Sequence, residues 1–382
     1  MRQLYIIYPD LRREGPLPED EVRLTQQEGG YPPGTTAWAA GMDHRLPVQE
    51  TLQYLEEAEG RRAADSRDDS LPDLKTFDFV PFCKEIFRRH SVEEVSDLFC
   101  CGSRATTPPL SAVEAKWPAP WLFSRVLLVC LLCYLGFYLA ITCFPESIHM
   151  LFPGWMFVGN FALPFSTLVL FFELNICRDY PFHRVVVAMC LGGVISLVCA
   201  LFLFAGWDAP AELAGVLEEP AKFLPAMLLG GGLYKKRILT GILLGGAVGA
   251  GFAAFESAGY VFGTLLDEES TSTPAGVLHL RAALAPFGHV VWTAMVAGAF
   301  CRTVDLLRRK GREFTRIYHG FRVFAYASFL RIFATAVVLH VAWNSLLLGH
   351  IFIGLIGWGI LLRLVYTGIL QVRNEQAESP DA

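Results

Sequence analysis

Leu217-Glu218-Glu219-Pro220-Ala221-Lys222 opens one of eight apolar runs in a chain of 382 residues. Each run has about the length a helix needs to cross the hydrocarbon of a bilayer. They are read at 122–143, 154–176, 185–205, 212–233, 238–262, 282–301, 323–347 and 351–370. The chain is 53% hydrophobic and 18% charged, against about a quarter charged in an ordinary soluble protein. Most Asp and Glu precede residue 118. These features predict an all-α polytopic membrane protein of about eight transmembrane helices, preceded by a small α+β soluble domain.

The soluble part divides by composition. Residues 1–57 read as a module with strand-like runs at Leu4–Tyr8 and Thr35–Trp38 and an amphipathic helix at Pro18–Gln27. Gly15-Pro16, Gly29-Gly30 and Pro32-Pro33 serve as its turns. Residues 58–118 are a linker with amphipathic pieces, beginning with the charged stretch 58–72, which has no periodicity. It ends at Trp117-Pro-Ala-Pro-Trp121, whose tryptophans suit a membrane interface. Residues 119–372 form the membrane domain and 373–382 a C-terminal tail. The polar opening of the chain carries no signal-peptide pattern. Cys130, Cys133, Cys143, Cys190 and Cys199 fall in or beside apolar spans, where a small hydrophobe is the expected role.

Loop charge sets the orientation. Loops 144–153, 206–211, 263–280 and 348–350 contain no Lys or Arg. The alternate loops hold Arg178, Arg184, Lys235, Lys236, Arg237, Arg302, Arg308, Arg309, Lys310, Arg312, Arg316 and Arg322. Short basic loops stay cytoplasmic, so both termini are placed inside, in the inner (plasma) membrane. The bilayer is then the first partner, and a net charge of −5 leads to no expectation of a nucleic-acid partner.

With that topology, depth follows from about 1.5 Å of rise per residue. Glu218 and Glu219 lie about seven residues into the fourth run from the outside, and Glu256 about six residues from the outer end of the fifth. His289 is about seven residues into the sixth, and His340 about seven from the outer end of the seventh, with Asn344 one turn further. A charged side chain in hydrocarbon costs about 3–10 kcal/mol, and hydropathy does not require four helices to deliver Glu, Glu, His and His at one level. Glu218 and Lys222 are spaced i,i+4 and are expected to pair, with Glu219 pointing elsewhere. Two carboxylates in different surroundings suit acid–base work. Pro220 removes a backbone donor beside them. Gly241, Gly245 and Gly249 share one face of the fifth helix, and small residues so spaced let helices approach closely. Glu173, near the inner end of the second run, reads as an interfacial carboxylate paired with Arg178.

Glu218-Glu219-x-x-Lys222, Phe252-x-x-x-Glu256, the isolated His289 and His340-x-x-x-Asn344, on successive helices, resemble the four motifs of the PrsW family. This family consists of bacterial intramembrane proteases related to the CAAX-prenyl endopeptidases. Phe171-Phe-Glu-Leu-Asn-Ile-Cys-Arg178 and Gly192-Gly193-Val-Ile-Ser196 resemble its early spans, and the resemblance covers roughly residues 120–370. It implies cleavage of a membrane-protein substrate, such as an anti-sigma-factor-like protein, near the extracytoplasmic face. Residues 1–57 separately resemble a GYF-like module through Tyr5, Gly15-Pro16, Gly29, Thr36, Trp38 and Gly41-Met42, with Leu46 near the place of that pattern's later tryptophan. Such domains commonly bind proline-rich peptides, which implies a cytoplasmic peptide or protein partner.

Two chemistries fit these residues. Either Glu218 or Glu219 is a general base that activates water, with histidine and Asn344 stabilising the oxyanion, or His289, His340, Glu219 and Glu256 bind zinc. The chain has no His-Glu-x-x-His motif, so glutamate chemistry without a cofactor is favoured over the zinc reading. The rivals are an ion- or proton-coupled transporter and a catalytically silent scaffold. A transport path predicts polar residues at several depths down to the inner face, and here they cluster on one side.

Overall fold

The computed structural model describes residues 3–39, 42, 45–55, 78–91, 94, 99–102, 106–205, 210–229, 232–233, 236–267, 271–314, 320–345 and 349–378. The stretch 58–72, Gly41, Lys235 and Arg316 lie outside the described residues. The chain forms two compact units, Met1–Asp73 and Leu74–Ala382.

In the first unit, β1 (Gln3–Ile7), β2 (Arg13–Pro18), β3 (Thr36–Ala39) and β4 (Leu46–Pro47) form an antiparallel sheet in the order β2-β1-β3-β4, with α1 at Glu19–Gln27. The alternation of β1 turns Leu4 and Ile6 into a core with Val22, Ala37 and Val48 and leaves Tyr5 outside. Gly15-Pro16 is not a turn but a bulge in edge strand β2, where both residues lie opposite Tyr5. Gly15 has φ 125°, and a Cβ there would come within 2.6 Å of the Leu4 carbonyl oxygen, so the strand kinks where only glycine fits.

The second unit is helical. A short amphipathic helix, α2 (Phe79–Phe87), is tied to the start of α3 (Trp121–Cys143) by Arg125, which donates to the Ile86 and Arg88 carbonyls. Then follow α4 (Ile148–Leu174), α5 (Phe182–Ala205), α6 (Ala214–Leu229), α7 (Ile238–Leu266), α8 (Pro274–Leu284), α9 (His289–Arg309), α10 (Ala327–Ser345) and α11 (His350–Ala377). The fold class expected from the sequence holds: a polytopic α-helical membrane protein with a small α+β unit in front.

Among the described residues, seven helical stretches are long and apolar enough to cross a membrane: α3, α4 with its leading turn, α5, α7, α8–α9 taken together, α10 and α11. The fourth run is different. Its helix, α6, has sixteen residues, about 24 Å of rise against the roughly 30 Å of a bilayer core. Most of its side chains, the charged ones included, are buried against other helices rather than turned to lipid.

At the centre stands α7, where every residue from Ile238 to Ala254 is buried. Gly241, Gly245 and Gly249 lie against Ala297, Thr293 and the His289 carbonyl of α9 with no room for a methyl group. Gly251 meets Gly193 of α5 in the same way, next to a π turn at Ala188–Gly192. By contrast, α3 buries only Leu122 and exposes Leu128, Leu131, Leu132 and Leu135, a surface that acyl chains can cover and water cannot.

Three boundaries differ from the sequence reading. The loop expected at 263–280 contains α8, started by Pro274 and capped by the Thr273 side chain on the Gly276 N–H. A 3-10 turn at Ala285–Phe287 and the extended Gly288 (φ −111°, ψ −122°) then interrupt the sixth run and restart it at His289. The last helix continues to Ala377 because Arg373 and Gln376 are held by the carbonyls of Ala115, Leu110 and Val113.

Candidate active site

Glu218, Glu219 and Lys222 come from α6, Glu256 from α7, His289 from the first position of α9 and His340 from α10. Close approach of two helices makes the meeting possible: at Gly215 of α6 a Cβ would stand 2.8 Å from the His340 Cβ.

Lys222 is fully buried at the middle of the cluster. Its ammonium lies 2.6 Å from Glu219 Oε1, 2.7 Å from His289 Nδ1 and 3.7 Å from Glu218 Oε2, and 4.6 Å over the Phe252 ring. The expected i,i+4 pairing with Glu218 is therefore the looser of the two. The i,i+3 neighbour Glu219 takes the hydrogen bond, because Glu219 points inward toward α10 and its Oε1 is shared with His340 Nδ1 at 2.9 Å. Glu218 approaches the same lysine and histidine more loosely, from the side of the large cavity. Its Oε2 has no hydrogen-bond partner and stands 3.6 Å from His340 Nε2.

The histidine tautomers follow from their partners. Lys222 donates to His289 Nδ1, so His289 Nε2–H donates to Glu256 Oε2 at 3.1 Å. His340 Nδ1–H donates to Glu219, leaving Nε2 as an open acceptor facing Glu218. Trp292 packs against both imidazoles, whose centroids lie 4.8 Å apart.

Two cavities flank the cluster. The larger, about 900 Å³, runs between α5 and α7 and reaches Glu218, Glu256, His289 and Asn344. The smaller, about 140 Å³, lies on the other side of His289 against Ala253, Ser257, Gly288 and His350. All seven residues singled out from the sequence are thus brought together, with Asn344 at the cavity wall rather than within the ion-pair network.

The sequence reading missed Arg281. It donates to Glu256 Oε2 through Nη2 and to Ser257 Oγ at 3.0 Å through Nε, lies 4.0 Å over the Tyr260 ring, and borders both cavities. A boundary drawn at 282 left it one residue outside a span, where a lone Arg on a lysine-free side was itself the signal. Glu173 is not paired with Arg178. Its two oxygens accept the backbone N–H groups of Leu122 and Phe123 at 2.8 and 2.6 Å, closing the open start of α3.

The donor set suits a metal such as zinc in type, and one ligand atom each from Glu218, His289 and His340 lies within 4.8 Å of the others, a spacing that would have to close for all three to ligate one ion. The carboxylate in this group is Glu218. Glu219 and Glu256, read from the sequence as ligands, are engaged by Lys222 and His340 and by Arg281 and His289. Glu219 behind His340 Nδ1 is the outer carboxylate that orients a ligating imidazole. His289 would have to release Lys222 or Glu256 to serve.

No curated protein and no solved structure matches the chain. Residues 180–370, half of the chain and the part that carries α6, α7, α9 and α10, match the PrsW family intramembrane metalloprotease. The chain therefore belongs to the PrsW family of intramembrane proteases.

Proposed function

We propose that Glu218 is the group that activates water for hydrolysis of a peptide bond in a membrane-protein substrate, near the extracytoplasmic face. One observation carries this reading: Glu218 is a buried carboxylate that lines a large cavity, and its inner oxygen, Oε2, has no hydrogen bond and lies 3.6 Å from an imidazole nitrogen that is also open. In the reaction, Glu218 accepts a proton as the water oxygen adds to the scissile carbonyl carbon. The carbonyl electron pair becomes an oxyanion, stabilised by the Asn344 amide and by His289 Nε2–H once that group turns from Glu256 to the substrate. When the adduct collapses, the C–N bond breaks and the proton on Glu218 passes to the leaving amine, giving one carboxyl and one amino terminus. Glu219 and Lys222 hold His340 and His289, and Glu256 fixes the other side of His289. Where zinc is bound, Glu218, His289 and His340 would hold it, and it would supply a water that ionises near neutral pH.

Purified chain in detergent is expected to cleave a single-span substrate, with Glu218→Gln, Glu219→Gln and His289→Ala each lowering the rate about 10²–10⁴-fold while folding is kept. Wild-type rates in all three would sink the proposal. Stoichiometric zinc in the same preparation, lost together with activity on chelation, would select the metal chemistry over the glutamate chemistry.

The outer-face assignment rests on the lysine- and arginine-poor loops at the Glu218 end of the helices, and a C-terminal tag cleavable from outside intact cells would overturn it. For the first unit we propose a peptide-binding role on the cytoplasmic side. Tyr5 is exposed there and packs 5.9 Å from Trp38. A proline-rich peptide whose calorimetric binding to the full chain is unaffected by Trp38→Ala would remove that role.

A further inference from the structure

Glu218 is 6% exposed, so a peptide bond must be brought to it, and the walls of the large cavity indicate the route. On one side stand Leu197, Leu201 and Phe204 of α5, and on the other Phe255, Gly259 and Gly263 of α7. Gly259 and Gly263 are one turn apart, and nothing lies within 4 Å of where a Cβ would stand on either. The glycines of the same helix at 241, 245 and 249 are filled against α9. The missing side chains at 259 and 263 therefore serve no packing inside the chain. They leave a trough. Its rim is apolar and continuous with the lipid-facing surface, since Leu201 is 60% and Phe202 76% exposed. Its inner end is polar, at Glu218, Glu256 and His289, with Tyr260 and Thr264 along the α7 wall.

We propose that this trough between α5 and α7 seats one membrane-spanning segment of the substrate protein, unwound where it reaches Glu218; the proposal rests on the hydrolytic reading of Glu218. An acyl chain would suit the rim but would lay hydrocarbon against the charged inner end, where Glu218, Glu256 and Arg281 line the cavity, at a desolvation cost that nothing returns. An unwound polypeptide in the same place brings backbone N–H groups that need acceptors, which the surrounding hydrocarbon does not supply and the polar inner end of the trough does. Apolar side chains on the segment match Leu197, Leu201 and Phe204, and its backbone reaches the wall where the glycines lack side chains.

The test uses the full chain with Glu218→Gln in lipid nanodiscs and a synthetic single-span Leu/Ala peptide of about 20 residues. A photo-crosslinking residue replaces Leu201 or, as control, Leu132, which is 58% exposed on α3. Crosslinking from position 201 is expected to exceed that from 132 at least tenfold, and Gly263→Leu is expected to remove the excess. Gly136→Leu makes the same change at a glycine of α3 that also has no neighbours, and it is expected to leave the excess in place. Equal crosslinking from 201 and 132, or an excess that survives Gly263→Leu, overturns the trough. Cleavage of the same peptide by the wild-type chain is read in parallel. Cleavage without crosslinking at 201 overturns the trough alone, and crosslinking at 201 with cleavage unchanged by Glu218→Gln removes the hydrolytic reading alone.

Discussion

Two of the polar clusters that join helices among the described residues of the second unit differ in how their carboxylates are bonded. At the end of α7 away from Glu256, Asp179 accepts from Thr240 at 2.8 Å, Asn175 at 3.1 Å and Arg237 at 3.3 Å. Arg237 reaches on to Glu375 at 2.7 Å, and Gln371 accepts the Ile238 N–H at 3.0 Å. Both Asp179 oxygens have partners, and the one buried atom of this cluster left unbonded, Asn175 Oδ1, belongs to a neutral amide. In the cluster around Lys222, one oxygen each of Glu218 and Glu219 has no hydrogen bond, and a cavity of about 900 Å³ meets Glu218. Satisfied polar networks hold a structure together, whereas a buried carboxylate left incomplete is kept for something else, at a cost of about 1–3 kcal/mol for each unmade bond. The comparison separates a fastening from a site by whether a buried carboxylate oxygen is left unbonded rather than by how much charge is buried.

The strongest way to break it is Lys222→Met. This change leaves two buried carboxylates without their shared cation, which should cost about 3–5 kcal/mol and abolish cleavage. Adding Glu219→Gln to the same chain should restore part of the stability, because it removes one of the uncompensated charges. Unfolding in detergent checks both, and an unchanged midpoint for Lys222→Met would show that the site is not held by its lysine.

Arg281 comes next. It touches Glu256, which touches His289, so it acts as a positioning residue. Arg281→Gln leaves Glu256 with His289 alone. A displacement of about 1 Å at a reacting group costs about 100-fold, so kcat is expected to fall by about that factor with KM little changed. Arg281→Lys should recover part of the loss. A fall in KM-limited uptake with kcat intact would assign Arg281 to the cavity wall instead.

What could be read from the sequence follows from what each feature depends on. Seven of the eight spans, and the drawing together of Glu218, Glu256, His289 and His340, depend on chain length and hydropathy, which are local, and they were legible; the fourth run, whose helix is short and buried, was not. The choice of Glu219 over Glu218 by Lys222 depends on where α10 places His340, and no spacing rule within α6 contains that. The break at Ala285–Gly288 was hidden because Pro286 and Gly288 sit among apolar residues whose mean hydropathy stays high. With the break unseen, Arg281 was left in a loop. In the first unit, Gly15-Pro16 signals a turn by composition, and only the pairing of β1 with both β2 and β3 makes it a bulge.

For the fastening, Asp179→Ala should cost about 2–3 kcal/mol through lost charged hydrogen bonds, while cleavage per folded molecule stays at the wild-type level. Equal losses in stability and in cleavage rate would erase the distinction between the two clusters.

Glu173 sharpens the same distinction at the smallest scale. It is a third buried glutamate in a membrane helix, 8% exposed, and composition gives no reason to treat it differently from Glu218. Its oxygens are both occupied, by the N–H groups of the second and third residues of α3. This is an N-cap supplied from a residue 51 positions away, which no local capping pattern reveals. Its loss should cost what a cap costs, about 1 kcal/mol, far less than an unpaired charge. Glu173→Gln keeps an acceptor oxygen and should lower stability by less than Glu173→Ala. Neither should change the rate of cleavage by molecules that remain folded. If Glu173→Gln were instead to reduce cleavage as Glu218→Gln is expected to, a filled hydrogen-bond shell would no longer mark a structural carboxylate in this protein, and the criterion that selects Glu218 would fail with it.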